Sequence, residues 1–297
     1  MCAGRRLHAA IESHLQMMKK YFCISIFLLT TLLVTDVAFA QVTDRDSIAV
    51  PVRKKRPKPI KQEVSFGLRM NTDGWSLFMD RGKVKNIDRT TDYYYDLNFW
   101  QVEFSEKKHP MEIKRSNTIS SAVEAAKPFV YGKISNFYTL NIGYGKRKLI
   151  AGKSFINNDV EPRAMSIHWV YLGALSIGLE KPYYIDAYVN QNGSLVQKTI
   201  SYNDDTKEDF LAQQFIVGSS GFGQGLGETK IVPGIQVKTG LHFDFAPTKT
   251  SKLAVETGIS ANMYSRAIQL MANQNAVPYF VNAYMSFQVG KRWAQKK

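Results

Sequence analysis

Ile235-Gln-Val-Lys-Thr-Gly-Leu-His-Phe-Asp-Phe245 is the stretch that decides the fold. Ile235, Val237, Thr239, Leu241, Phe243 and Phe245 alternate with Gln236, Lys238, Gly240, His242 and Asp244. Successive side chains of an extended strand point to opposite sides, so a period of two makes one face apolar and the other polar. The same alternation recurs within residues 64–70, 75–80, 100–105, 138–145, 168–180, 253–263 and 281–289. The expected architecture is all-β: an antiparallel up-and-down barrel of about eight strands within residues 63–293, with long loops at one end. A separate strand over Lys148 to Lys153 would raise the count to ten.

A soluble sheet also alternates, with its apolar side turned to a core. Two features favour the opposite polarity. The polar rows are rich in Gly, Ser, Asn and Thr, and they mix Arg69 and Lys238 with Asp80, Glu103, Asp244 and Glu256. A narrow barrel needs small residues to close and compensated charges to fill its middle. Aromatic residues gather near strand ends: Trp75, Trp100, Tyr138, Tyr144, Trp169, Tyr171 and Trp293. That distribution is the girdle of a membrane-spanning barrel, whose strands need about 9–12 residues to cross. Arg or Lys at mid-depth on the lipid side would cost roughly 2–4 kcal/mol. The apolar rows carry such charges only as Arg81 and Lys291, at strand ends. The reading is therefore a transmembrane β-barrel with hydrocarbon outside and an ionic bore, in which Arg69 and Lys238 pair with Glu103, Asp80, Glu256 or Asp244.

The N-terminal region agrees with export. Lys19 and Lys20 precede an apolar run from Tyr21 to Val34, and Ala38-Phe39-Ala40 follows as a small-x-small cleavage site. Residues 18–40 thus read as a signal peptide cleaved after Ala40, and residues 1–17 as a mis-called extension, with the start codon open among Met1, Met17 and Met18. The apolar run of 14 residues is short of the ~20 that a membrane-spanning helix requires. Residues 41–62 form a basic, proline-rich linker containing Pro51-Val-Arg-Lys-Lys-Arg-Pro-Lys-Pro. Cleavage removes Cys2 and Cys23, leaving neither disulfide nor thiolate chemistry. It also takes four basic and two acidic residues from totals of 39 and 25, leaving twelve excess positive charges. Such a surface suits anionic partners, and export leaves lipopolysaccharide phosphates as the fit and nucleic acid as none. With a periplasmic N-terminus, the long third and fifth connections lie outside the cell and the short sixth inside, as in outer-membrane barrels. Residues 294–297 are a tail.

Phe66-Gly-Leu-Arg-Met-Asn-Thr-Asp-Gly-Trp75, Phe104-Ser-Glu-Lys-Lys-His-Pro110, Val130-Tyr-Gly-Lys133, Asn136-Phe-Tyr138 and Gly143-Tyr-Gly145 carry a family resemblance. So do Leu179-Glu-Lys-Pro-Tyr183 and Val232-Pro-Gly-Ile235. Over roughly residues 64–293 the chain resembles an uncharacterised family of outer-membrane β-barrel proteins of Gram-negative bacteria. The resemblance implies a barrel in the outer membrane, inserted there by the barrel-insertion machinery, and implies no reaction or ligand.

Chemistry is sparse. His109, His168 and His242 lie in separate segments without metal-ligand spacing, so no metal or other cofactor is expected. Gly221-Phe-Gly-Gln-Gly-Leu-Gly227 lacks the strand before and helix after that a phosphate-binding loop needs. Ser166 and His168 share a strand face and are the weak catalytic candidates of a barrel lipid hydrolase. The expected function is a non-enzymatic outer-membrane barrel whose loops bind a partner, lipopolysaccharide or ligand. A small diffusion pore and the hydrolase are the alternatives.

Overall fold

The computed structural model describes residues 60–85, 95–116, 127–155, 163–191, 193–246 and 250–294. The N-terminal extension, the export signal, the linker up to residue 59 and the tail beyond residue 294 lie outside the described residues. The barrel strands are β1 (Gln62–Asn71), β2 (Gly74–Lys85), β3 (Asp96–Lys107), β6 (Ser135–Phe155), β7 (Arg163–Pro182), β11 (Lys230–Ala246), β12 (Ser251–Ile268) and β13 (Val277–Trp293). Between them lie β4 (Lys114–Arg115), β5 (Phe129–Val130), β8 (Tyr184–Gln191), β9 (Ser194–Ser201), a five-residue helix α1 (Lys207–Leu211) and β10 (Ile216–Ser219).

The eight long strands close in the order β1-β13-β12-β11-β7-β6-β3-β2, each antiparallel to its neighbours. Register gives the geometry. A path of paired residues from Phe66 runs through Met79, Val102, Ile142, Leu175, Ile235, Met263 and Tyr279. Continued by the β13–β1 register, it returns to β1 at the level of position 76, ten residues above its start. A shear of ten over eight strands tilts them by about 40°, given a rise of about 3.3 Å per residue and a spacing of about 4.8 Å. Ten residues then climb about 25 Å along the axis, the height of a lipid-facing band.

The polarity of the sheet is inverted relative to a soluble barrel. Leu175, Val281 and Trp100 on the outside are 72%, 64% and 61% exposed, while Arg69, Glu256 and His242 inside are each 1% exposed. Among the described residues no helix is long and apolar enough to cross a membrane, a statement that does not bear on strands.

The expected eight strands are present, and the alternative of ten is not. Lys148 to Lys153 belong to β6, which continues past a bulge between Leu149 and Ala151, so the count is eight and not ten. The later strands also exceed 12 residues, reaching 21 in β6 and 20 in β7. The fifth connection, expected as a long loop, instead folds into the sheet β10-β8-β9 and the five-residue helix α1.

Inside, apolar rings seat over glycines of the adjacent strand. A Cβ on Gly178 would stand 2.5 Å from the Phe137 ring, and one on Gly67 would stand 2.4 Å from Phe78. Gly82 lies against Leu97, and Gly145 against Phe99. The missing side chains are the room in which the rings sit, so these glycines and rings pack as units. Gly178→Val forces the fully buried Phe137 out of its seat, and overpacking of this kind costs about 1–3 kcal/mol. The expected outcome is a lower urea midpoint, read by tryptophan fluorescence, with part of the loss recovered in Gly178→Val/Phe137→Leu.

Candidate functional sites in the bore and the loop cap

Among the described residues six inward cations, Arg69, Lys107, Arg147, Lys238, Lys252 and Arg292, face six carboxylates, Glu63, Asp73, Asp80, Glu103, Asp244 and Glu256. Equal numbers matter because a buried charge without a partner is expensive, whereas a paired and hydrogen-bonded one is tolerated. Two carboxylates act as hubs. Glu256 accepts hydrogen bonds from His242 Nδ1 (3.0 Å), the Tyr284 hydroxyl (3.2 Å), Gln288 Nε2 (3.2 Å) and Arg69 Nη2 (3.4 Å). Glu63 accepts from Lys252 Nζ (2.5 Å), the Tyr95 hydroxyl (2.8 Å), Arg292 Nε (3.1 Å) and Arg147 Nη1 (3.4 Å).

The residues named from sequence fall into this network as follows. Arg69 pairs with Glu103 and Glu256, and Lys238 with Glu103 at 2.5 Å. Asp80 and Asp244 do not meet Arg69 or Lys238; their partners are Arg147 and Arg292. Gln101 links the groups, donating to Asp80 (2.7 Å) and accepting from Lys238 (2.9 Å). Arg69 is also held between the Phe78 and Tyr284 rings at 4.2 and 4.6 Å, and Arg147 lies 4.2 Å over Phe99. Planar guanidinium groups suit such stacking. Glu63, Arg147, Lys252 and Arg292 were not singled out from sequence, although each continues the inward parity of its strand.

Ser166 and His168 both point into the bore and are buried. No hydrogen bond joins them, because inward neighbours two residues apart along a strand are spaced by about 6.6 Å. His168 donates from Nε2 to the Tyr95 carbonyl at 3.1 Å, and its ring packs against Tyr95 and His242. The arrangement provides neither an activated nucleophile nor access for a lipid. Among the described residues no group of His, Cys, Asp and Glu is arranged to hold a metal.

The interface aromatics form two groups. Trp75 and Tyr138 flank Glu106 in adjacent strands near the loop end, Trp75 donating to its carboxylate at 2.8 Å. Trp100 and Tyr144 lie nearer the chain ends with ring centroids 5.2 Å apart. Trp169 and Tyr171 follow on β7, and Trp293 closes β13.

At the loop end the bore is stoppered. Phe137, Tyr264 and Phe280 form a ring cluster with centroids 5.0–6.0 Å apart, beneath Leu270 and Met271. Above it sits a small cap with its own core of Phe129, Ile185, Ala187, Ile200, Phe210 and Ile216. Burial pushes the phenol of Tyr183 up, and the Glu228 carboxylate, accepting its hydrogen bond at 2.7 Å, does the same to Tyr184. An open cleft of about 590 Å³ runs between the third and fifth connections. Lys108, Lys114, Lys133 and Lys181 line it, with Tyr138 and Phe222. Lys133 is neutralised by Glu112 at 2.7 Å and Lys108 by Glu106 at 3.2 Å. Lys181 instead donates to the Phe222 carbonyl and lies 4.3 Å over that ring.

No protein-family model and no curated protein matches the sequence. Among solved structures the chain is similar to the N-terminal β-barrel domain of Pseudomonas aeruginosa OprF, at 7% identity and a TM-score of 0.27, over 80% of this chain and 100% of that one. Neisserial surface protein A (NspA) aligns at 10% identity and 0.27, over 80% and 96%. Ail, the attachment invasion locus protein of Yersinia pestis, solved with the heparin analogue sucrose octasulfate, aligns at 6% and 0.29, over 79% and 99%. At such values the fold rests on this chain's own closed register and on none of these neighbours.

Breaking a buried pair by truncating one partner typically costs about 3–5 kcal/mol, because the other charge stays buried. Glu63→Ala leaves Lys252, Arg292 and Arg147 short of one carboxylate. It is expected to lose about that much in urea unfolding from detergent or lipid, and more than Asp73→Ala at the partly exposed rim.

Proposed function

We propose that the chain is an integral outer-membrane protein of a Gram-negative bacterium, a non-enzymatic barrel that anchors a folded outer cap able to bind a ligand. The observation that carries this is the inverted polarity: an apolar outside around a bore of paired charges. Water on that exterior would leave a large apolar surface unburied, whereas hydrocarbon satisfies it. The motifs that resemble an uncharacterised family of such barrels agree with this reading.

The cap is the part free to recognise something. Its core is independent of the bore, and its cleft presents lysines and aromatic rings together. That chemistry suits an anionic group attached to a sugar or an apolar body, and lipopolysaccharide is the abundant molecule of that kind at the outer surface. Insertion by the barrel-insertion machinery follows from the same reading. A diffusion pore is disfavoured by the buried side chains that occupy the bore, and a lipid hydrolase by the separation of Ser166 from His168.

The test is fractionation followed by electrophoresis and conductance. The protein is expected in outer-membrane fractions, to migrate as a compact band when unboiled, and to give no single-channel steps in planar bilayers. Recovery in the soluble periplasmic fraction rejects the membrane assignment. Reproducible conductance steps replace the anchor reading with the pore.

A further inference from the structure

Beneath the Trp100–Tyr144 pair the outer surface of β2, β3 and β6 changes character. Cross-strand register places Arg81, Trp100 and Tyr144 in one row, and Lys83, Asn98, Lys146 and Tyr171 in the next. One row further out, Lys85 pairs with Asp96 and Lys148 with Trp169. Arg81, Lys83, Lys85, Lys146 and Lys148 are all exposed. Asp96 is the one acid facing outward there among the described residues, and it accepts the Leu149 amide at 3.0 Å. The other side of the barrel behaves differently. Towards the same end Ile167 pairs with Phe243, and Leu253 with Val289, and beyond them Lys291 is the one exposed cation on the outward rows of β7, β11, β12 and β13 among the described residues.

The asymmetry calls for more than the ordinary ring of interfacial lysines. Five cations on β2 and β6, the two strands that flank β3, would repel one another and could not lie in hydrocarbon, so they mark headgroup depth, with their stems laid along the apolar sheet. Strands spaced by about 4.8 Å put Lys83 and Lys146, on either side of Asn98, about 10 Å apart. Two ammonium groups at that separation can close from both sides on one phosphodiester. Asn98 between them offers an amide donor, and Trp100 with Tyr144 forms an aromatic shelf for glycerol and acyl chain immediately towards mid-membrane.

We infer that this face is a docking site for an anionic phospholipid, its phosphodiester held between Lys83 and Lys146 and its negative charge shared with Arg81, Lys85 and Lys148. The site lies at the end carrying Gln62 and Trp293, away from the long connections. By loop length that is the periplasmic leaflet. The inference rests on the membrane reading and goes beyond it by naming the lipid class and the strands that hold it.

The experiment uses the full chain refolded into vesicles of phosphatidylcholine with equimolar phosphatidylglycerol, then released for native mass spectrometry. Retention of phosphatidylglycerol over phosphatidylcholine is expected. Replacing Lys83, Lys85, Lys146 and Lys148 by Gln should lower that preference at least about tenfold, since each lysine near an anionic surface contributes about fivefold. The Arg replacements at the same positions should retain it, and so should Lys198→Gln/Lys207→Gln in the cap. Should the fourfold variant fail to fold, K83Q/K146Q gives the same comparison with a smaller fall. Equal retention of the two lipids by the inserted wild-type barrel overturns the inference, as does displacement by millimolar inorganic phosphate, which would indicate an ion site. Failure to insert into phosphatidylcholine alone overturns the membrane reading instead, so the two failures are distinguishable.

Discussion

Closure of the sheet is the constraint on which everything else depends. β1 pairs with β13 over Gln62–Asn71, so the first and last barrel strands leave no open edge. In hydrocarbon an unpaired amide or carbonyl has no water to turn to, and each costs several kcal/mol. Eight strands with a shear of ten satisfy the backbone, but they do so in a tube too narrow to hold an aqueous channel. The contents of the bore follow from that width.

A narrow bore must be filled, and the inward rows fill it in two ways. Where a ring or a large aliphatic group points inward, the neighbouring strand supplies glycine, as with Phe137 over Gly178 and Phe99 over Gly145. Where charge points inward, each carboxylate gathers several donors, as Glu63 and Glu256 do. Removing one hub carboxylate leaves several cations short, which is why energy in this network is not divisible pair by pair. The same packing confines chemistry to the surfaces. Ser166 and His168 lie on the face where a strand-pattern argument puts them, yet their surroundings make them part of the filling.

The strand alternation that places Arg69, Asp80, Glu103, Lys238, Asp244 and Glu256 on one face is legible in the sequence, because each sits mid-strand among clear apolar neighbours. Glu63, Arg147, Lys252 and Arg292 were not, although they share the same parity. They lie where a strand leaves the hydrocarbon, and there the outward residues become Lys83, Lys146 and Lys148 and the two-residue contrast fades. That fading also ends β6 too early on paper and suggests a separate strand over 148–153, the origin of the ten-strand alternative. Inward Leu97, Phe99, Val170 and Leu172 break the polar-inside rule altogether, forming an apolar layer that only the glycines opposite would have hinted at. The cap strands were hidden for another reason. Residues 184–189 alternate well, but an apolar face on a short hairpin says nothing about a core built from Phe129 and Phe210, which are distant in the chain.

The two ends of the molecule are therefore chemically distinct in a way that a simple anchor does not require. One end folds about 50 residues of connection into a cored cap with an open cleft, ordering that must be offset by buried apolar contact before any ligand arrives. The other end has shorter connections and, among the described residues, carries five exposed outward cations on two of the eight strands, β2 and β6. Five cations with the single carboxylate of Asp96 among them keep a net repulsion, and strands held by ladders on both sides cannot move apart to relieve it. A barrel whose interior is closed to solutes can still act through such surfaces. On the proposed reading the cap offers a cored surface to a ligand at one end, while the basic face holds lipid at the other.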